Sequence, residues 1–310
     1  MKLSFIIPIY SSEGSISYLL NRLEKLKVLF SWEVIFIEDG STDCSFETLY
    51  KLLKKSPLNA KLIRHNRNYG EHQAVITGYR YASGNYVVNL DDDLQNPPEE
   101  ALKLFHWAEQ KNLDVVYGEY EQDNHSEWRN FGSKFAHLTA HFFLDLPSKC
   151  GISSFRCLKG SIAKEVAKYN GPYPYIDGLI AQISQSIESI KVKHDKRYIG
   201  RSGYTLRRLI KLWINILTSF SLMPLRLSSL IGTLFALSGM IGIIIIFLET
   251  LFKGVTVSGW ASVLSSILLF GGIQCLLLGL IGEYLGRIYL TVSGKPQSTI
   301  RSFNDFRKEK

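Results

Sequence analysis

Residues 85–100 read NYVVNLDDDLQNPPEE. The run Tyr86-Val87-Val88-Asn89-Leu90 has the length and β-branched content of a buried strand. It stops at three consecutive carboxylates, Asp91, Asp92 and Asp93, and Asn96-Pro97-Pro98-Glu99-Glu100 then opens a helix, with proline in its first turn. Like charges packed that closely repel unless they are well solvated or a cation neutralises them. Asp, Asn and Gln oxygens are the ligand set for a hard divalent ion such as Mg2+ or Mn2+. An acidic helix-entry loop is the plainer alternative, because acids favour helix N-termini.

The same alternation runs outward from this stretch. Leu3 to Ile7, Glu33 to Ile37, Ala60 to Arg64, Tyr86 to Leu90 and Asp114 to Tyr117 read as strands. Helix-period segments separate them: Ser15 to Val28, Ser45 to Lys54, Glu71 to Tyr81 and Pro98 to Gln110. Strand and helix in alternation predict an α/β fold with a mostly parallel sheet covered on both faces. Ligands of such sheets bind beyond the carboxyl ends of the strands. Pro8-Ile9-Tyr10, the EDGSTD stretch at 38–43 and the Asp91 to Asp93 triplet sit at those ends and are expected to converge. A helix around Trp128 to Leu144 and strands at Ser153 to Leu158 and near Ile187 to His194 complete the domain.

The chain has 310 residues, 46% of them hydrophobic, and a net charge of +8. Its positive residues flank apolar segments: Arg201, Arg207, Arg208, Lys211 and Arg226 before them, then Arg287, Lys295, Arg301, Arg307, Lys308 and Lys310. That is where membrane proteins keep cytoplasmic positive charge, so anionic lipid and not nucleic acid is the implied partner. Thr205 to Phe220 places Leu206, Leu209, Ile210, Trp213, Ile216 and Leu217 on one face and Arg207, Arg208 and Lys211 on the other, as in a helix lying in a membrane interface. Pro224 ends that pattern. Leu227 to Leu248 then offers ~33 Å of nearly uncharged helix against a ~30 Å hydrocarbon core. A second apolar run, Trp260 to Ile281, brings the chain back. Two spans, with the α/β domain and the basic tail both cytosolic, predict an N-in, C-in topology.

The expected organisation is a cytosolic domain at 1–200, a juxtamembrane amphipathic helix at 201–224, two spans at 225–290 and a basic tail at 291–310. Gly271, Cys275 and Gly279, with Gly282 and Gly286 beside them, form a small-residue row that suits contact between the two spans or a homo-oligomer equally. The cysteines Cys44, Cys150, Cys157 and Cys275 show no disulfide framework and fit a reduced compartment. The start, MKLSFIIPIY, reads as a first strand and not a signal peptide.

Asp91 and Asp93, two apart, suit one ion between them, with Gln95 offering a neutral oxygen. EDGSTD suits a base or ribose but is also a common turn. Together, Pro8-Ile9-Tyr10 with Glu13, EDGSTD, NRNYGEHQA at 66–74 and LDDDLQNPPEE at 90–100 resemble the successive motifs of family 2 inverting glycosyltransferases with the GT-A, Rossmann-like fold. With the two-span C-terminus, the chain is similar to bacterial polyisoprenyl-phosphate glycosyltransferases over nearly its whole length. That group includes undecaprenyl-phosphate glucosyltransferases, aminoarabinose transferases and, more distantly, dolichyl-phosphate mannose synthase.

The resemblance implies that Pro8, Tyr10, Glu13, Asp39 and Asp92 border the nucleotide, and that Asp91, Asp93 and Gln95 hold Mg2+ or Mn2+ on the donor diphosphate. It places Arg129, Ser133 and Arg156, the last in SSFR, near the acceptor phosphate. Arg197, Ser202 and Tyr204, of the R-x-x-G-x-S-x-Y motif, are implied to bind the lipid phosphate. The family's usual acid before Phe-Arg is missing from Cys150-Gly151-Ile152-Ser153-Ser154-Phe155-Arg156, and Ser202-Gly203-Tyr204 replaces Ser-Lys-Tyr. Asp177 and Arg201 are the expected substitutes.

The implied reaction takes a nucleotide-sugar, UDP-glucose in the plainest case, and a polyprenyl phosphate. Two alternatives share the core: a membrane-anchored nucleotide-sugar-binding protein without activity, and a processive polysaccharide synthase, which usually carries a Q-x-x-R-W motif and more spans than are found here.

Overall fold

The computed structural model describes residues 2–120, 151–195, 223–253 and 259–307. They form two compact units, one from the described parts of Met1–Lys211 and Lys295–Lys310, the other from those of Leu212–Gly294.

The first unit is built on an eight-stranded mixed sheet in the order β7-β5-β6-β4-β1-β2-β3-β8. Its strands are β1 (Lys2–Ile9), β2 (Ser31–Glu38), β3 (Ala60–His65), β4 (Tyr86–Asn89), β5 (Val115–Tyr120), β6 (Arg156–Lys159), β7 (Ile187–Val192) and β8 (Ile300–Asp305). The four central strands β4, β1, β2 and β3 run parallel. Helices α1 (Glu13–Glu24), α2 (Ser45–Leu53) and α3 (Glu71–Tyr81) connect them and α4 (Pro98–Gln110) leads from β4 to β5, as the alternating pattern predicts. Two further helices, α5 (Gly160–Ala167) and α6 (Ile176–Ile183), follow β6.

The central strands read as continuous apolar runs because helices cover both faces of the sheet. Phe5, Ile6 and Ile7 of β1 are wholly buried, as are Val34, Ile35 and Ile37 of β2. Helix α3 comes close to the sheet through Gly78: a Cβ there would lie 2.4 Å from Ile6 Cγ2 and 2.8 Å from Ile37 Cδ1. The strand order turns around at β1, with β2 on one side and β4 on the other, which opens the crevice at the carboxyl ends of these three strands.

Residues 291–310 are not only a basic tail. Lys295 onward belongs to the first unit, and β8 pairs antiparallel with β3, Leu62 facing Asn304 and Ile63 facing Phe303. A lone parallel edge strand exposes unpaired backbone groups, and β8 covers the edge of β3.

In the second unit, α7 (Met223–Lys253) and α8 (Trp260–Val292) contain both expected spans. Met223–Gly242 and Leu269–Val292 are long and apolar enough to cross a membrane, with mean hydropathies of 1.4 and 1.5. Exposed Leu, Ile and Phe side chains crowd both helices. Water does not tolerate such a surface, whereas lipid does. Pro224 sits in the first turn of α7, where its missing N–H costs nothing. Among the described residues, nothing lies within 4 Å of where a Cβ would stand on Gly271, Gly279, Gly282 or Gly286. The expected amphipathic helix at 205–220 and the helix at Trp128 to Leu144 lie outside the described residues.

Candidate active site

A cleft of about 430 Å³ opens at the carboxyl ends of β1, β2 and β4. It is lined by Pro8, Ile9, Tyr10, Asp39, Asn68, Glu71, Asp91, Asp92, Asp93, Gln95, Tyr120, Ser154 and His194. The three polar clusters of the sequence therefore do meet. They meet because β4, β1 and β2 are neighbours in the sheet and point the same way.

The acidic triplet divides its work. Asp92 turns towards the β1 loop, where its Oδ2 accepts hydrogen bonds from the Ser12 hydroxyl and, at 3.2 Å, from the Tyr10 N–H. Asp91 Oδ2 accepts from Ser154 Oγ at 2.8 Å and Asn96 Nδ2 at 3.0 Å. Asp93 Oδ1 accepts from the Gln95 N–H at 3.0 Å, closing a tight turn. Between them Leu94 takes a left-handed φ of 63°, an unusual conformation for a branched side chain that holds the loop's shape at some conformational cost. Gln95 reaches the end of β7, its Nε2 lying 3.1 Å from His194 Nε2.

These carboxylates are crowded. Burial raises Asp91, and the charge on Asp93 adds to the effect against the hydrogen bonds from Ser154 and Asn96. Burial pushes Asp92 up to about 6 despite its bonds from Ser12 and Tyr10. Glu71, at the start of α3, is pushed up to about 7 by burial and then by Asp91. A cleft that strains to ionise its own carboxylates is one in which a divalent cation is well received. Among the described residues no three His, Cys, Asp or Glu side chains are arranged as a complete metal cage. One or two carboxylates completed by substrate phosphates is the usual way Mg2+ is held, and Asp91 and Asp93 fit that arrangement.

Asp39 lines the cleft yet is 2% exposed. Its carboxylate is occupied by the protein: His65 Nδ1 lies 2.7 Å away, and the N–H groups of Tyr69 and Gly70 donate to it at 2.8–3.1 Å. It secures loop 66–70, whose Asn68 faces the cleft. Gly40 lets this happen: at φ 64° its missing Cβ would lie 2.4 Å from the Arg67 carbonyl carbon.

Two expected site residues fall elsewhere. Glu13 does not line the cleft; it opens α1, and its carboxylate accepts from the Cys44 N–H at 3.3 Å while Asp43 accepts from the Glu13 N–H at 3.2 Å, so the two helix starts secure each other. Arg156 is 1% exposed and lies behind the cleft in an ion pair with Asp177, which also accepts from the Tyr117 hydroxyl at 2.9 Å. The guanidinium is thus already neutralised, and Asp177, the expected replacement acid, is its partner. Arg129, Ser133, Arg197, Arg201, Ser202 and Tyr204 lie outside the described residues.

Glu71, Asn68, Ser154, Tyr120 and His194 line the cleft without having been singled out. Glu71 and Asn68 lie within NRNYGEHQA and Ser154 within SSFR, so the motifs contained the signal. His194 ends the strand pattern of β7, which lies parallel to β5 and so delivers it to the same edge.

Against known proteins, the profile described as "Glycosyl transferase family 2" matches residues 4–166. The chain is 32% identical to the uncharacterized glycosyltransferase YkcC of Bacillus subtilis, covering 94% of this chain and 91% of that one. It is equally 32% identical to the undecaprenyl-phosphate 4-deoxy-4-formamido-L-arabinose transferase of Pseudomonas aeruginosa, covering 95% of this chain and 88% of the relative. Among solved structures, glucosyl-3-phosphoglycerate synthase from Mycobacterium tuberculosis, in complex with Mn2+, uridine diphosphate and phosphoglyceric acid, superposes with a TM-score of 0.52. At 15% identity over 70% of this chain and 76% of that one, the likeness concerns the fold.

Proposed function

The chain belongs to glycosyl transferase family 2, and from that premise we propose that it moves a sugar from a nucleotide-sugar to the phosphate of a polyprenyl lipid. The acceptor is undecaprenyl phosphate, and the donor is a UDP-sugar, UDP-glucose in the plainest case. The product is a polyprenyl-phosphate sugar for modification of cell-envelope glycans. One observation carries the reading: the acidic cleft at the ends of β1, β2 and β4 stands in a chain that also has two helices apolar enough to span a membrane. The Pseudomonas relative, matched over almost its whole length, bears the name of an undecaprenyl-phosphate sugar transferase and adds support.

The chemistry needs no strong base. A lipid monophosphate is ionised near neutral pH, so its oxygen can attack the anomeric carbon directly. A carbon–oxygen bond to the lipid phosphate forms as the bond to the departing nucleoside diphosphate breaks, and in-line attack inverts the centre. The protein must bring two anions together and hold them. Asp91 and Asp93, with Gln95, would hold Mg2+ or Mn2+, which supplies charge neutralisation for the leaving diphosphate. Pro8, Tyr10 and Asn68 form walls for the nucleotide, with Asp39 and Asp92 fixing the loops behind them. Arg129, Ser133, Arg197, Arg201, Ser202 and Tyr204 are assigned to the acceptor side. The catalytic unit and both chain ends face the cytosol, and the Gly271–Cys275–Gly279 row serves close helix contact, between the two spans or with a second copy of the chain.

The test is nucleoside diphosphate release by the purified protein in detergent from a panel of UDP-, dTDP- and GDP-sugars, with and without undecaprenyl phosphate. Release from one donor is expected only with lipid, is lost on chelation, and falls by about 10²-fold or more in Asp93→Asn. Metal-dependent nucleotide binding without release from any donor would favour a binding protein lacking activity.

A further inference from the structure

After the second apolar helix, Ser298 and Thr299 return to the first unit and meet the back of the loop whose front faces the cleft. Thr299 Oγ1 accepts from Asn66 Nδ2 at 2.7 Å and lies 2.8 Å from the Tyr69 hydroxyl, while its carbonyl accepts from the Asn66 N–H at 3.0 Å. Ser298 Oγ accepts from Gln73 Nε2 at 3.1 Å. Strand β8 then pairs with β3 as far as Asp305, so these contacts sit at the start of a paired strand and not on a loose end.

Loop 66–70 is consequently gripped from two directions. Asp39 takes the backbone N–H groups of Tyr69 and Gly70 from the sheet side, and Thr299 takes the side chains of Asn66 and Tyr69 from the other. Gly40 packs against the backbone at Arg67 and Asn68 from below, too closely for any side chain. Asn66, Arg67 and Asn68 are all exposed, so the apolar core does not fix this wall. Hydrogen bonds do, and the C-terminal segment supplies those on one side.

We propose that Ser298 and Thr299, set in place by β8, are positioning residues of the donor pocket: they hold loop 66–70 in the shape that receives the nucleoside diphosphate. The inference rests on the donor-site reading above. It implies that the pocket is complete only once the chain has passed through both apolar helices and returned.

The test uses the full-length protein in detergent with Mg2+, and measures binding of UDP, dTDP and GDP together with donor KM and kcat. With the nucleotide that binds, Thr299→Val and Tyr69→Phe are each expected to raise Kd and donor KM about tenfold, leaving kcat and the lipid KM within twofold. The double variant should be little worse than Thr299→Val alone, because that change already removes the bond to the Tyr69 hydroxyl along with the one from Asn66. Thr299→Ser, which restores the hydroxyl, should bind as the natural protein does. Wild-type Kd in both single variants would overturn the proposal, as would a fall in kcat at unchanged KM. If no nucleoside diphosphate binds the natural protein while Thr299→Val melts at the same temperature, the donor-site reading itself fails and the inference falls with it.

Discussion

Arg156 does not line the cleft, and it reaches the cleft's carboxylates through its field. Its guanidinium is buried against Asp177, and from behind the cleft its charge opposes the upward shifts of Asp91 and Glu71. Breaking a buried pair on one side leaves an uncompensated charge, which costs ~3–5 kcal/mol, whereas replacing both partners by apolar groups costs far less. Arg156→Met is therefore expected to lower the melting temperature sharply, and Arg156→Met with Asp177→Leu to recover much of it. A normal melting temperature for Arg156→Met with activity gone would instead put the guanidinium in contact with substrate. The SSFR motif marked the right place in the sheet but could not show which way the side chain turns. That depends on Asp177, 21 residues further along, being brought beside it by α6. Asp92 is similar: the sequence shows three equivalent acids, all of which line the cleft, and only the fold singles out the one that also secures the β1 loop.

Helix α3 links core and cleft, because its first turn presents Glu71 while Gly78, two turns on, lies against β1 and β2. Gly78→Ala would press a methyl group into Ile6 and Ile37, both wholly buried. Overpacking of this kind costs ~1–3 kcal/mol. The expected result is a lower melting temperature, with nucleotide affinity reduced as the start of the helix shifts; an unchanged melting temperature would mean that the two isoleucines can make room. Elements with a clear apolar period were legible in the sequence: β1 to β5 and α2 to α4 fall within a few residues of the expected bounds. Strand β8 was not. Its six residues, IRSFND, carry two large apolar side chains, because an edge strand open to solvent needs no continuous apolar run. Read by composition, such a segment looks like a charged tail. Helices α5 and α6 are eight residues each, too short for the period to stand out.

The whole molecule joins a cleft suited to a water-soluble donor to a pair of helices suited to lipid. The helices were legible because ~20 apolar residues in a row have few other uses, and the carboxylate cluster was legible because acids at strand ends need a partner. The route of the chain after the second helix was not, since only pairing with β3 reveals it. The reaction proposed needs both units in one enzyme, because its two substrates live in different solvents. The most direct measurement is to incubate the purified protein with the donor chosen from the panel, labelled in its sugar, and with undecaprenyl phosphate and Mg2+, then extract the lipid and weigh the product by mass spectrometry. The account predicts a lipid heavier than the acceptor by one sugar residue, still carrying a single phosphate, and absent with Asp93→Asn. Label found as free sugar, or as a polymer independent of the lipid, would contradict it.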